Sequence, residues 1–258
     1  MKAFRLHHFM PFVTLVLMSQ PVPAAPLAAD ATAEQALDAL HEQGKDLKSL
    51  TADVALESFA ADLGDDPAVD KGTARLIRRE GGDTRLRVDF TKHVVGNKEF
   101  DQPTTWLVDG QRAIERKGGK IKKETTTVIG KPGDKLDLFK LGKGPFPLPI
   151  GQPKEDVLEH FDITKLKPAD VDNLPPDAAV ALRLVPKKDK AVAKDFSEVT
   201  IIVAANGWPM EIRTIGTGRS PQTNIAKLSN VKANPALEEK DLDLPPLPDD
   251  WSQVTRSP

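Results

Sequence analysis

Apolar residues recur along this chain with two different periods. From Thr32 to Leu50 the spacing is helical: Leu37, Leu40, Leu47 and Leu50 fall on one stripe, with Ala33 and Ala36 beside it. Thr32 is followed three residues later by Gln35, the spacing of a capping box. These positions predict one amphipathic helix over 32–50, bent at Gly44, where glycine costs ~1 kcal/mol relative to alanine. Beyond it the period falls to two. Residues 51–60 alternate as a strand, 61–72 with its LGDDP run reads as a turn region, and 73–79 and 84–91 are the next strands. In the last of these Leu86, Val88 and Phe90 share one face, while Arg85, Arg87 and Asp89 share the other. Gly81-Gly82 supplies the hairpin turn between them.

The alternation continues through TTWLVDG, which ends at the Asp109-Gly110 turn, and QRAIERK, which ends at Gly118-Gly119. The following KIKKETTTV carries Lys120, Lys122 and Lys123, the charge expected of a sheet edge guarded against other chains, so the sheet is expected to be open. Residues 134–139 read as a short helical turn, 153–161 as a short helix opened by proline and acidic residues, and 165–177 as a proline- and aspartate-rich loop. Strands are then expected over 179–185, 196–204, 208–216 and 223–231. Asn206-Gly207 between two β-rich runs is the strongest hairpin signal in the chain. From Pro235 the acidic, proline-rich C-terminal part is expected to run extended along the sheet, with Trp251 as an anchor. The fold class is mainly β (α+β): a curved antiparallel sheet or incomplete barrel with an N-terminal helix and short covering helices or a flap.

One stretch fits neither period. In FKLGKGPFPLPIG, residues 139–151, prolines at 145, 147 and 149 remove amide donors, and Gly142 and Gly144 loosen the chain before them. Phe139, Leu141, Phe146, Leu148 and Ile150 therefore need another surface to pack on. The apolar face that includes Leu86, Val88, Phe90 and Trp106 is the one available. The stretch is expected to be a lid over a lipid-binding cavity on that face.

Composition narrows the setting. Lys2 and Arg5, an apolar run from Phe9 to Met18 and the small-residue stretch PVPAAPLAA follow the order of a secretory signal peptide, taken here as residues 1–25. The run is about half of the ~20 residues that span a bilayer. Residues 26–258 are expected to form a single exported, soluble domain. Without Lys2 and Arg5, 34 basic residues face 38 acidic ones with the signs interspersed, which argues against nucleic acid as a partner. There is no cysteine, so neither a disulfide framework, a thiolate metal site nor a lipidated cysteine is available.

Catalytic signatures are absent. After removal of the signal the histidines are His41, His93 and His160, and His41-Glu42 fails as a zinc-protease motif because position 45 is lysine. Glu155, Asp156, Glu159 and His160 read as a solvated helix face, and no G-x-S-x-G elbow occurs. The chain is expected to be no enzyme and to need no cofactor or metal.

The order of features resembles the periplasmic outer-membrane lipoprotein carrier family, the LolA-like proteins, over nearly all of residues 26–258. The resemblance rests on the leading helix with LKSLTADVALES, GTARLIRR with RLRVDF, WLVDG, VALRLVPKK, DFSEVTIIVAANGWPMEI and the closing DLDLPPLPDDW. It implies an incomplete barrel that carries acyl chains of lipids or lipoproteins across the periplasm as a monomer. It also implies an inner-membrane transporter and an outer-membrane receptor as partners, and an early-strand arginine that holds the lid. Arg79 is the first choice for that arginine and Arg78 the second. GPFPLPI falls where the family has a covering helix, with three prolines in place of helix formers. The alternative is an envelope sensor on the same scaffold that binds a protein partner without cargo.

Overall fold

Thr32 and Gln35 close the first helix from both sides. The computed structural model, which describes residues 26–60, 67–80, 82–130 and 150–256, has the Gln35 amide donating to Thr32 Oγ1 at 3.2 Å and the Thr32 amide donating to Gln35 Oε1 at 2.8 Å. Helix α1, Ala33–Lys45, buries Ala36, Leu37, Leu40 and Gly44. Replacing Thr32 with alanine is expected to cost ~1 kcal/mol in urea unfolding, with little change in overall secondary structure. The helix stops five residues before the expected end. Leu50 keeps the helical spacing, yet it is taken into a ladder opposite Leu76, where a neighbouring strand satisfies its backbone.

Thirteen strands follow among the described residues: β1 (Ser49–Ala60), β2 (Ala68–Arg78), β3 (Thr84–Val95), β4 (Lys98–Phe100), β5 (Thr104–Asp109), β6 (Arg112–Lys117), β7 (Lys123–Val128), β8 (Phe161–Lys165), β9 (Ala178–Pro186), β10 (Phe196–Ala204), β11 (Pro209–Gly216), β12 (Gln222–Ala233) and β13 (Ser252–Arg256). A second helix, α2 (Lys154–His160), precedes β8. The strand order is β13-β7-β6-β5-β3-β2-β1-β12-β11-β10-β9-β8, with β4 paired to β3. Two antiparallel meanders, β1–β7 and β8–β12, are joined by the antiparallel pair β1–β12, and the sheet is open at both ends.

The turn signals hold where they are described: Gly82, Gly110, Gly119 and Gly207 all have positive φ. Three strand expectations need correction. β2 begins at Ala68 rather than Thr73, because β1 and β3 offer long ladders on both sides. β8 arises in a stretch without a clear alternation, paired with β9. Third, the lysine-rich strand is not the edge, since β13 adds to β7 in parallel and Lys120 and Lys122 lie in the turn before β7. The expected helical turn at 134–139 lies outside the described residues.

Period-2 alternation gives the sheet two faces of different chemistry. One face carries Leu50, Ala74, Leu76, Leu86, Val88, Phe90 and Val108 in the first meander and Leu182, Leu184, Val199, Ile201 and Ile212 in the second. Helices α1 and α2 cover the second meander, forming one core with Val157, Phe161 and Val192. The reverse face carries arginines and carboxylates and is crossed by residues 235–251.

Candidate functional site

The first meander builds a second, separate core on the covered face: Leu47, Leu50, Ala52, Val54, Ala74, Leu76, Leu86, Val88, Phe90, Val108, Ala113 and Ile150. Trp106, Trp208, Leu228 and Val231 pack against it partly exposed. The strand register aligns these side chains, because Leu86 sits opposite both Leu76 and Val108, and Val88 opposite both Ala74 and Trp106. Leu86, Val88, Phe90 and Trp106 thus share one wall, as their alternation requires. Leu50, Leu76, Trp208, Leu228 and Val231 join them. Their parity carried that signal for the strand residues, while Trp208 enters through the Asn206-Gly207 hairpin.

A cavity of about 30 Å3 remains between Leu50, Ala74, Leu76, Leu86, Ile150, Trp208, Leu228 and Val231. That is the share of a single water molecule and far below the roughly 300–1,000 Å3 of ordinary ligand pockets. Every lining residue is apolar, so the space offers no hydrogen bond to water. Ile150, 1 % exposed, fills the site from above.

Ile150 is held by the backbone beside it. The Gly151 amide donates to Leu40 O at 3.0 Å, and the Gly151 carbonyl lies 3.1 Å from His41 Nδ1, so both backbone polar groups of Gly151 are tied to α1. Gly151 has φ +81, and a Cβ on Gly44 would lie 2.3 Å from Gly151 N. Two glycines let the backbones touch. Arg78 donates from Nη1 to Gly44 O at 3.2 Å, pinning the end of α1 at the same point. Phe139, Leu141, Phe146 and Leu148 lie outside the described residues.

Arg79 points elsewhere. Its guanidinium binds Glu239 through Nε and Nη2, each at 2.9 Å, Asp109 at 2.8 Å and Asp83 at 3.2 Å. The Glu239 hydrogen bonds push the Arg79 pKa upward, against the smaller opposing effect of burial. This ties Arg79 to the C-terminal segment on the reverse face, whereas Arg78 lies beside Gly44 and Gly151.

The same segment is held by an arginine ladder. Arg85 donates to Glu239 O at 2.7 Å, Arg75 to Asp241 O at 3.0 Å, Arg87 to Asp243 O, and Arg116 to Pro245 O at 2.6 Å. Asp89 anchors the ladder by accepting from Arg75, Arg87 and Thr105. Burial pushes the Asp89 carboxyl upward, but the hydrogen bonds and charge of Arg87, with Thr105 and Arg75, together hold it below the ordinary aspartate value. A depressed folded value means that this stability is present above the unfolded value near ~3.9 and is lost as pH falls through the folded one. Asp89→Asn is therefore expected to shrink the fall in Tm between about pH 6 and about pH 3. An unchanged acid limb in thermal melts would contradict this.

The three histidines have structural contacts: His41 with Gly151, His93 Nδ1 with Asp70 Oδ1 at 2.7 Å, and His160 Nδ1 with Asp156 O at 2.8 Å. Glu159 pairs with Lys190 at 2.9 Å. Among the described residues there is no group of three or more histidine, aspartate or glutamate side chains placed to hold a metal ion. No described helix is long and apolar enough to cross a membrane.

No family model matches the chain, and no curated protein matches it. Solved structures do. A putative outer membrane lipoprotein-sorting protein domain from Vibrio parahaemolyticus aligns with 83 % of this chain and 97 % of its own at 12 % identity and a TM-score of 0.38. A LolA superfamily protein from Nitrosomonas europaea aligns with 83 % of this chain and 98 % of its own at 13 % identity and a TM-score of 0.35. In the MucA/MucB complex of Pseudomonas aeruginosa the alignment covers 82 % of this chain and 60 % of the other, at 12 % identity and a TM-score of 0.38. Over most of its length, and at low sequence identity, this chain thus aligns with structures described as a lipoprotein-sorting protein domain and a LolA superfamily protein.

Proposed function

We propose that the protein is an exported periplasmic carrier of acyl chains from lipids or lipoproteins, held here in a closed form. The observation that carries the reading is the all-apolar cavity stopped by Ile150, at the end of the proline-rich segment. An acyl chain needs apolar walls and no polar partner, which is what Leu76, Leu86, Trp208 and Leu228 supply. The cavity is too small for cargo as it stands, so loading requires Ile150 to leave. Exposing that side chain costs about 1.5–3 kcal/mol, which two to four buried methylenes at ~0.8 kcal/mol each offset. A longer acyl chain therefore gains on balance, and a short one does not. Phe139, Leu141, Phe146 and Leu148 are proposed to cover the loaded chain, with Arg78, whose guanidinium reaches Gly44 O, proposed to hold that cover in place of Arg79, which is taken up by Glu239, Asp109 and Asp83. An inner-membrane donor and an outer-membrane acceptor would complete the path.

Trp208 and Trp106 provide the test. A brominated fatty acid is expected to quench their fluorescence saturably, with affinity rising with chain length, and Phe146→Asp is expected to abolish uptake while melting as the parent does. Absence of quenching at any chain length would sink the carrier reading. Unchanged uptake in Phe146→Asp would remove the cover from the mechanism.

A further inference from the structure

The reverse face of the second meander holds a cleft that the acyl site does not use. Its wall comes from the loop after β8. Val171 is buried against Ala181 and Ile202, with Leu166, Leu174 and Ala178 around them, which makes a small third core on that side of the sheet. Arg213 Nη2 also donates to Asp172 O at 2.7 Å, tying the loop to the floor. What reads in sequence as a proline- and aspartate-rich connection is thus a fixed rim beside a cleft of about 680 Å3. That volume lies within the range of sites that accept a ligand.

The floor is laid out in rows by the register. One row runs Phe59, Thr223, Ile215 and Glu198, and the next Glu57, Ile225, Arg213, Thr200 and Arg183. Each basic side chain in the cleft is already matched: Arg183 by Glu198 at 2.7 Å, Lys227 by Glu57 at 3.4 Å, and Arg213 by Glu211. Asp170 and Asp172 on the rim have no ion-pair partner among the described residues. The cleft therefore presents partly exposed apolar side chains beside two uncompensated negative charges.

We infer that this cleft is a docking site for an extended basic peptide segment in which apolar side chains alternate with lysine or arginine. The charge excess selects a cation, and Phe59, Ile215 and Ile225 select an apolar neighbour to it. The second row crosses five strands, a span of roughly 19 Å at ~4.8 Å per strand spacing. About six residues of extended chain at ~3.3 Å each cover that distance. Alternate side chains of such a segment face the floor while the others reach the rim. The aspartates are exposed, so binding weakens as salt is raised.

Fluorescence anisotropy with the full chain tests this, using a labelled, capped hexapeptide of alternating lysine and leucine and its glutamate–leucine counterpart. Saturable binding of the basic peptide alone is expected, weakened at least fivefold by Asp170→Asn with Asp172→Asn and, separately, by Ile225→Thr. Phe146→Asp, which addresses the acyl site, is expected to leave it unchanged, so this site and the carrier reading fail independently. Equal binding of the acidic peptide, insensitivity to both rim and floor substitutions, or complete competition by fatty acid would overturn the assignment. Spermidine competing as well as the peptide would also overturn it, in favour of a site for small polycations.

Discussion

Leu242→Ala is expected to be among the most destabilising single changes on the reverse face, costing roughly 2–5 kcal/mol. Leu242 is 0 % exposed and lies at the end of the short 3-10 helix Glu239–Leu242, in the middle of the segment that crosses β2, β3 and β6. Around it the carbonyls of 239, 241, 243 and 245 each accept from an arginine, so loss of the side chain also loosens the segment's grip on a charged ladder whose members are otherwise held by carboxylates of the sheet. In a chain of this size each kcal/mol moves Tm by about 2–4 °C. A second effect follows from connectivity. Beyond Leu242 the chain reaches the Lys122–Asp250 pair and then β13, which occupies the edge of β7. Loosening the segment exposes that edge, and an unpaired edge strand recruits other chains. Urea unfolding and size-exclusion chromatography read the two effects. A loss below about 1 kcal/mol with an unchanged elution volume would mean that the ladder holds the segment without Leu242.

Gly44→Ala is expected to open the proposed acyl site. The added Cβ would meet Gly151 N at 2.3 Å, Gly151 Cα at 2.5 Å and the Ile150 carbonyl carbon at 2.6 Å, all backbone atoms that cannot rotate aside. On an isolated helix this substitution stabilises by ~1 kcal/mol. Here the overlap, of the kind that costs about 1–3 kcal/mol or more, outweighs that gain. The relief available is to push Ile150 and Gly151 off α1, breaking the contacts to Leu40 O and His41. The variant is therefore expected to melt lower yet take up a fluorescent fatty acid more tightly than the parent. A lower melting point with weaker uptake would show that the Ile150 contact shapes the binding face instead of blocking it.

Much of the apolar sheet face was legible because it depends on parity. Leu86, Val88, Phe90, Trp106, Leu182, Leu184 and Ile212 alternate with polar neighbours, and a strand sends alternate residues to one side whatever its partners. The turns at Gly82, Gly110 and Gly207 were legible for a similarly local reason, since positive φ favours glycine. Helix α1 shows where local reading stops: its start is set by Thr32 and Gln35, three residues apart, while its early end follows from Leu50 being drawn into the ladder opposite Leu76. Gly44 looked like a weak point in a helix and is a contact surface. Arg78 and Arg79, adjacent in the chain, sit in different surroundings, because the strand ends at Arg78 and the two guanidinia turn toward α1 and the C-terminal segment respectively.

By itself the sequence determined the elements and their two-faced chemistry: a capped helix, alternating strands and hairpin turns. These depend on spacing within a few residues. The tertiary structure alone decided the strand order that joins two meanders through β1 and β12, the parallel strand that covers β7, the arginine ladder beneath the C-terminal segment, and the glycine contact that seats Ile150 in the apolar site. Each depends on groups distant in the chain, whose meeting is set by the free energy of the whole packed sheet and by no local preference.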